Sequence, residues 1–297
     1  MSTLVMMQVL LLALALVMVG LGLSLTPADF RRLGEQKRAV AIAIGLQMVA
    51  LPLAALVIAH LFQLSAPFAI GLMLLAATPG SISVNLYSHV FGGNVALNIS
   101  LTGLNTVLSA FTLPLVCGWA IAHFTAVEAG VPALFAKVAE ITGLIVIPVA
   151  LGMGVRRVAP GFARRAERPM RIVSAAVLVV FVVAAIVKEW AALVLGFAQV
   201  GGAVIVFNLL SVAAGYAVSR AAALDLPSSI TIAFQASVHN AVLALYIAMT
   251  VLADPLIALP AAVYSVTMNL CALGFGLWAG RAAPRRFGDR PTVRLRQ

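Results

Sequence analysis

Two long apolar stretches of this chain are interrupted by short runs of small polar residues, and each run contains an asparagine. The first run is TPGSISVN at 78–85, and the second is QASVHN at 235–240. An unpaired backbone group is costly inside hydrocarbon, so a membrane helix is broken there only where the break lines a cavity. A pair of interrupted spans in corresponding halves of a chain is typical of the binding site of a secondary transporter. The two breaks are therefore predicted to cross and to form the functional site.

The chemistry of these breaks favours a small anion as the ligand. A half-helix that begins after a break presents free backbone N–H groups and the positive end of its dipole, and both attract a carboxylate. The same serine, asparagine and histidine side chains would also serve as helix caps or local hydrogen-bond partners. The predicted substrate-binding residues are Ser81, Ser83, Asn85, Ser237, His239 and Asn240.

The elements that must position the breaks are transmembrane helices. Of the 297 residues, 63% are hydrophobic and 9% are charged, whereas about a quarter of the residues of a soluble domain are charged. The first apolar stretch lacks the basic n-region of a signal peptide, so it is predicted to be a membrane helix. Nine apolar stretches are long enough to cross hydrocarbon, at 4–25, 39–62, 68–91, 94–123, 133–155, 172–195, 200–220, 227–251 and 257–280.

The predicted fold is an all-α polytopic membrane protein with a single transmembrane domain at 1–281. The two halves of that domain, 1–124 and 132–281, each contain one broken span, which predicts an inverted repeat. A basic tail follows at 282–297.

The distribution of charge predicts the orientation in the membrane. The chain carries a net charge of +10. On a nine-span topology all its basic residues except Lys137 and Lys188 fall on one side, in the segments 31–38, 156–171, Arg220 and 281–296. The positive-inside rule then places the N-terminus outside and the C-terminus in the cytoplasm, and the composition suggests a bacterial inner membrane. The basic tail is interpreted as a topology determinant that contacts anionic lipid, so no nucleic-acid or protein partner is predicted.

No sequence pattern for catalysis or for a cofactor is present. The chain lacks HExxH, GxSxG and any pair of intramembrane aspartates, so it is not predicted to be an enzyme. Cys117 and Cys271 lie in apolar spans without metal-ligand spacing and are predicted to be packing residues. His60 and His123 fall at the ends of spans and are predicted to lie at the membrane interface.

Several segments together resemble the bile acid:sodium symporter family. They are LGLSLTPADF at 21–30, Gln47 with Pro52, GL at 71–72 before the first break, GNVAL at 93–97, AVLA at 241–244 after the second break, Pro260, Ser265 and Asn269. The resemblance implies a panel domain that moves against a core domain containing both broken helices. It also implies the uptake of organic anions such as bile acids, pantoate and other carboxylates, coupled to two sodium ions.

The resemblance further implies two sets of sodium ligands. The first set falls on Val84, Asn85, Asn98, Thr102 and Gln235. The second set falls on Gln47, Gln235, Ala236, Val238 and His239. Four positions depart from the family: Gln235 stands for a glutamate shared by both sets, His239 for a glutamine, and Val84 and Asn98 each for a hydroxyl residue. Side-chain oxygen for sodium therefore remains at Gln47, Asn85, Asn98, Thr102 and Gln235.

These departures leave alternatives to sodium coupling open. Histidine titrates near neutral pH, so His239 could link anion transport to protons, or it could be a neutral hydrogen-bonding residue in an uncoupled transporter. A cation antiporter would need acids at the crossing, and the crossing has none. A membrane sensor that does not transport is the remaining alternative.

Overall fold

The chain folds into a bundle of helices in which the two interrupted helices lie at the centre. The computed structural model describes residues 18–81, 83–125, 131–163 and 190–282, together with the single positions 12, 15, 16, 165, 166 and 169. Within these residues the only β-type pairing is one isolated bridge, so the predicted all-α class is confirmed. Half of the span predicted at 4–25, most of the span predicted at 172–195 and nearly all of the tail at 282–297 lie outside the described residues.

Within the described residues, ten helices with defined bounds follow residues 18–24, which are themselves helical, and residues 160–163 are helical as well. The ten helices are α1 (Pro27–Leu33), α2 (Lys37–Leu61), α3 (Ala66–Ala77), α4 (Ser83–Val90), α5 (Val95–Thr125), α6 (Val131–Val158), α7 (Trp190–Ala221), α8 (Leu226–Ser237), α9 (Ala241–Val251) and α10 (Pro255–Ala282). Among the described residues, four helices are long and apolar enough to cross a membrane, within α2, α5, α7 and α10.

Where the structure describes them, the predicted helix boundaries hold to within a few residues, with one correction. A span was predicted to end at 195 and the next to begin at 200, but α7 is continuous from Trp190 to Ala221. The apolar sequence has no proline or polar run between 190 and 200, so the glycines at 196 and 201 are accommodated within one helix. Residues 190–195 therefore belong to the helix that precedes the second broken span.

The two halves repeat the same order of elements. The series α2–α5 and the series α7–α10 each contain a long helix, a twelve-residue half-helix, a short half-helix and a long helix. Gln63 (φ 50°) and Ala223 (φ 56°) end α2 and α7 in the left-handed conformation, which closes the last turn of each helix. Pro67 and Pro227 then open α3 and α8. The left-handed residue and the proline that follows it are separated by the same number of residues in both halves.

Burial distinguishes the central helices from the peripheral ones. Ten of the twelve residues of α3 and ten of the twelve residues of α8 are buried. A helix that is enclosed on all sides belongs to the core of a bundle. The long helices instead expose large apolar side chains, such as Leu115 (63%) on α5 and Leu270 (66%) on α10. These outer faces are suited to lipid, and the protein is a multi-pass membrane protein.

The first half also contacts α6 through two glycines. A Cβ atom at Gly22 would overlap Val149 O, and one at Gly152 would overlap Val19 O. Neither position has space for a side chain, so two helices approach at backbone distance, as small residues permit in membranes.

Candidate functional site

The two breaks lie side by side and pair through their backbones. Ser81 N donates to Val238 O at 2.8 Å, and Asn240 N donates to Pro79 O at 2.9 Å. Gly80 and His239 form the isolated antiparallel bridge between these two hydrogen bonds. Each break therefore supplies hydrogen-bond partners for backbone groups of the other. These backbone groups are then not left unpaired in the hydrocarbon region of the membrane.

The breaks are shorter than the sequence patterns suggested. Helix α3 ends at Ala77 and α4 begins at Ser83, so Val84 and Asn85 lie in the first turn of α4. Helix α8 continues to Ser237, so Gln235 and Ala236 are still helical and only 238–240 are irregular. Helices α4 and α8 thus extend into the two polar runs, whereas α3 ends just before the first run.

Side chains cap the half-helices at the breaks. Asn240 Oδ1 accepts a hydrogen bond from Leu243 N at 3.1 Å and caps α9. Ser81 Oγ accepts from Ser83 N at 3.4 Å and from Ser83 Oγ at 3.1 Å. Ser81, Ser83 and Asn85 are partly exposed, whereas Ser237, His239 and Asn240 are buried. The polar side chains of the first break are thus the ones within reach of a solute.

A chain of amides and a hydroxyl joins the first half to the second at Gln235. Gln235 Nε2 lies 2.5 Å from Thr102 Oγ1, 2.7 Å from Asn98 Oδ1 and 3.2 Å from Asn98 O, and all three oxygens accept. Asn98 Nδ2 donates in turn to Asn85 Oδ1. Four of the five residues of the first predicted cation set are therefore held in one hydrogen-bonded network. The fifth, Val84, is fully buried beside it.

Residues of the second predicted set meet at the carbonyl of Thr78. Gln47 Nε2 donates to Thr78 O at 2.9 Å and to Ala76 O at 3.1 Å. His239 Nδ1 lies 3.2 Å from Thr78 O, and since a carbonyl only accepts, Nδ1 carries the proton. The end of α3 is thereby fixed by one side chain from α2 and one from the second break.

Two residues that the sequence analysis did not single out fix the end of α8. Asn208 Nδ2 donates to Ser237 O at 2.9 Å, and Tyr264 OH donates to the same carbonyl at 2.7 Å. The His239 ring packs against those of Phe207 and Tyr264, at centroid distances of 5.8 and 5.6 Å. An asparagine in the middle of an apolar span was the available signal for Asn208. No sequence signal pointed to Tyr264, because its hydroxyl bonds a carbonyl of another helix.

Replacing Tyr264 by phenylalanine is expected to lower the free energy of unfolding by about 1 kcal/mol, the net value of one buried hydrogen bond. The loss stays small because Asn208 still donates to Ser237 O. The midpoint of thermal unfolding of the purified protein measures this change. Tyr216→Phe is the matched control, since the Tyr216 ring packs on Phe275 and Trp278 and its hydroxyl makes no hydrogen bond among the described contacts. Equal losses in both variants would contradict a specific role for the Tyr264 hydroxyl.

Buried polar atoms without a hydrogen-bond partner concentrate around the breaks. Within the described residues they include Gln47 Oε1, Gln235 Oε1, Asn208 Oδ1, Ser237 Oγ and His239 Nε2. Buried polar atoms are nearly always bonded, so a group of exceptions indicates a place for a ligand, an ion or water. Of the described acids, Asp29, Glu35, Asp225 and Asp254 lie at helix ends or in turns, and Glu140 lies within α6, which contains neither break. The described residues at the crossing therefore offer many uncharged oxygen atoms as ligands or hydrogen-bond acceptors. They carry no fixed negative charge.

Comparison with known proteins points to membrane transporters. The model of the sodium bile acid symporter family matches residues 11–196. A probable sodium/metabolite cotransporter, BASS1 of the chloroplast of Oryza sativa subsp. japonica, is 28% identical over 256 residues, which cover 86% of this chain and 62% of the rice protein. The uncharacterized sodium-dependent transporter YocS of Bacillus subtilis (strain 168) is 26% identical over 268 residues, which cover 90% of this chain and 82% of YocS. The chain thus spans less than two thirds of the length of the rice relative.

Proposed function

Because this chain belongs to the sodium bile acid symporter family, we propose that it carries small organic anions across a membrane by alternating access. The observation that supports this most strongly is the paired backbone of the two breaks, surrounded by buried polar atoms without partners. A packed bundle has no need of such a crossing, whereas a transporter uses it to bind a solute at mid-membrane. The family consists of transporters and not of enzymes, in agreement with the absence of catalytic motifs.

The substrate we propose is a carboxylate of the bile-acid-like or pantoate-like kind, bound at the first break. Ser81, Ser83 and Asn85 are partly exposed at the N-terminal end of α4. Their hydroxyl and amide groups, together with the helix dipole, suit a carboxylate group. Ser237, His239 and Asn240 lie beneath them and would hold the first break in place. The apolar helices around the crossing suit the remainder of an organic anion.

The first set of cation ligands does not fit a sodium ion in this chain. Its oxygens, Asn98 Oδ1, Asn98 O and Thr102 Oγ1, converge on the N–H groups of Gln235. An ion there would meet amide hydrogens and no balancing carboxylate. The amide nitrogen therefore takes the position that a cation would need.

The second set retains oxygen for one monovalent cation. Gln47 Oε1 and Gln235 Oε1 are buried without partners, and both side chains adjoin the first break, Gln47 through Thr78 O and Gln235 beside Gly80. We propose that these two amides, with backbone carbonyls, hold at most one sodium ion. When bound, the ion would supply positive charge close to the substrate carboxylate.

A proton-linked mechanism through His239 is the second candidate. Its Nε2 atom has no partner, so it is the one described group at the crossing that could accept a proton. The surroundings oppose a charged imidazole, because His239 is fully buried against two aromatic rings and burial without a counter-ion disfavours charge. We therefore expect His239→Gln to transport with an unchanged response to a pH gradient. Loss of proton-driven uptake in that variant alone would favour the second candidate.

The topology we propose follows from the repeats. The halves repeat the same order of elements, and the breaks pair in antiparallel fashion, as expected if the halves are oppositely oriented in the membrane. With the predicted distribution of basic loops, the N-terminus would lie outside and the C-terminus inside the cell.

Uptake of labelled carboxylates into proteoliposomes, under sodium, potassium and pH gradients imposed one at a time, tests the proposed coupling. We expect a sodium gradient to drive uptake with a stoichiometry of one ion. Uptake driven equally well by a potassium gradient would contradict the proposed sodium site at Gln47 and Gln235. It would not contradict the proposal that the protein transports organic anions.

A further inference from the structure

Two histidines face each other at one end of the bundle, away from the breaks. His60 lies in the last turn of α2, and His123 lies in the last turn of α5. Their Nε2 atoms are 3.1 Å apart, and both residues are exposed. The rings stand at 90° to each other, with centroids 5.3 Å apart.

Aromatic neighbours fix the orientation of both rings. The His123 ring stacks on that of Trp119 at 4.7 Å with an interplanar angle of 12°. Phe124 packs against both imidazoles, at 5.3 Å from His60 and 4.9 Å from His123. The two nitrogens are therefore brought together by packing between two helices and not only by the hydrogen bond that joins them.

We propose that His60 and His123 form a binding site for a divalent transition metal such as Zn²⁺, Ni²⁺ or Cu²⁺. Imidazole nitrogen is a preferred ligand of these ions. Zinc binds it at about 2.0–2.1 Å, so two nitrogens 3.1 Å apart would subtend an angle of about 100° at the metal, between the octahedral and tetrahedral values. The ion would accept both Nε2 lone pairs once the donor imidazole moves its proton to Nδ1. Because both residues are exposed, water can complete the coordination.

Such a metal would join the ends of two helices that flank the first broken helix. Both α2 and α5 pack against α3, which ends at the crossing. A bound ion would therefore stabilise the folded helices around α3. This inference does not depend on the proposed transport function, since it concerns a separate cluster of side chains.

Thermal unfolding of the purified full chain with added zinc chloride tests the proposal. At a zinc concentration ten times the dissociation constant, we expect the midpoint to rise by about 3 °C. The rise should be reversed by EDTA and lost in His60→Ala and in His123→Ala. His89→Ala is the control, because His89 is exposed on α4 but has no paired histidine among the described contacts, and it should keep the rise. An equal rise in wild type and both variants would overturn the proposal, as would no rise in wild type.

Copper EPR on the wild-type protein gives a second test that needs no variant. With one equivalent of Cu²⁺ added, the spectrum should show superhyperfine coupling to two imidazole nitrogens. Coupling to a single nitrogen would mean that the pair is only hydrogen-bonded and would overturn the proposed site.

Discussion

Glutamate in place of Gln235 is expected to make the stability of this protein depend on sodium. In sodium-free medium the new carboxylate would be buried and would face Asn98 Oδ1, Asn98 O and Thr102 Oγ1, which now accept from the amide. A buried charge without a partner costs about 3–5 kcal/mol, so the unfolding midpoint should fall by about 10 °C in potassium chloride. Sodium bound among the same oxygens would supply the missing positive charge and restore the midpoint.

Thermal unfolding in sodium chloride and in potassium chloride at equal ionic strength measures this effect. Asn94→Asp is the matched control, because Asn94 caps α5 through its Oδ1 and is only partly buried, so aspartate can keep that cap. The control should show no more sodium dependence than wild type. A Gln235→Glu protein that is as stable as wild type in both salts would contradict the assignment of the Gln235 amide to a cation position.

Alanine in place of Gly80 is expected to impair transport severely. The added Cβ would overlap Gln235 Oε1, and the amide cannot move aside without leaving its three acceptors. Overpacking of this kind costs about 1–3 kcal/mol, and separation of the paired breaks would distort both halves of the site. We expect initial uptake of a transported carboxylate to fall by about tenfold or more.

Gly45→Ala provides the control for this substitution. Gly45 lies in α2, and a Cβ there would meet no atom within 4 Å, so normal uptake is expected. Normal uptake by Gly80→Ala, with the protein shown to be folded and inserted, would mean that close contact between Gly80 and Gln235 is not needed for function.

The positions of the breaks could be predicted from sequence, whereas their detailed contacts could not. A proline followed by a glycine inside an apolar run indicates an interruption, so the pattern at 78–85 located the end of α3. The extent of each break was overestimated, because tertiary packing extends helix into polar residues such as Gln235 and Ser237. Local sequence carries no information about that packing.

The partners of the site residues depend on contacts between distant segments. The pairing of Gln235 with Asn98 joins residues far apart in the chain, and the family resemblance implied only that both lie near a cation. That Gln235 directs its nitrogen and not its oxygen toward Asn98 follows from the acceptors around it. Asn208 and Tyr264 were not identified, because a carbonyl held by two helices leaves no motif in the sequence.

Counterflow of labelled carboxylates in proteoliposomes tests the central claim most directly. Vesicles preloaded with an unlabelled carboxylate, without any ion gradient, should accumulate the labelled form transiently for at least one member of a panel of organic acids. The initial rate of that accumulation should fall by about tenfold or more in Gly80→Ala vesicles and stay unchanged in Gly45→Ala vesicles. No accumulation of any acid by folded wild-type protein would contradict the claim that the paired breaks form the transport site of an organic anion carrier.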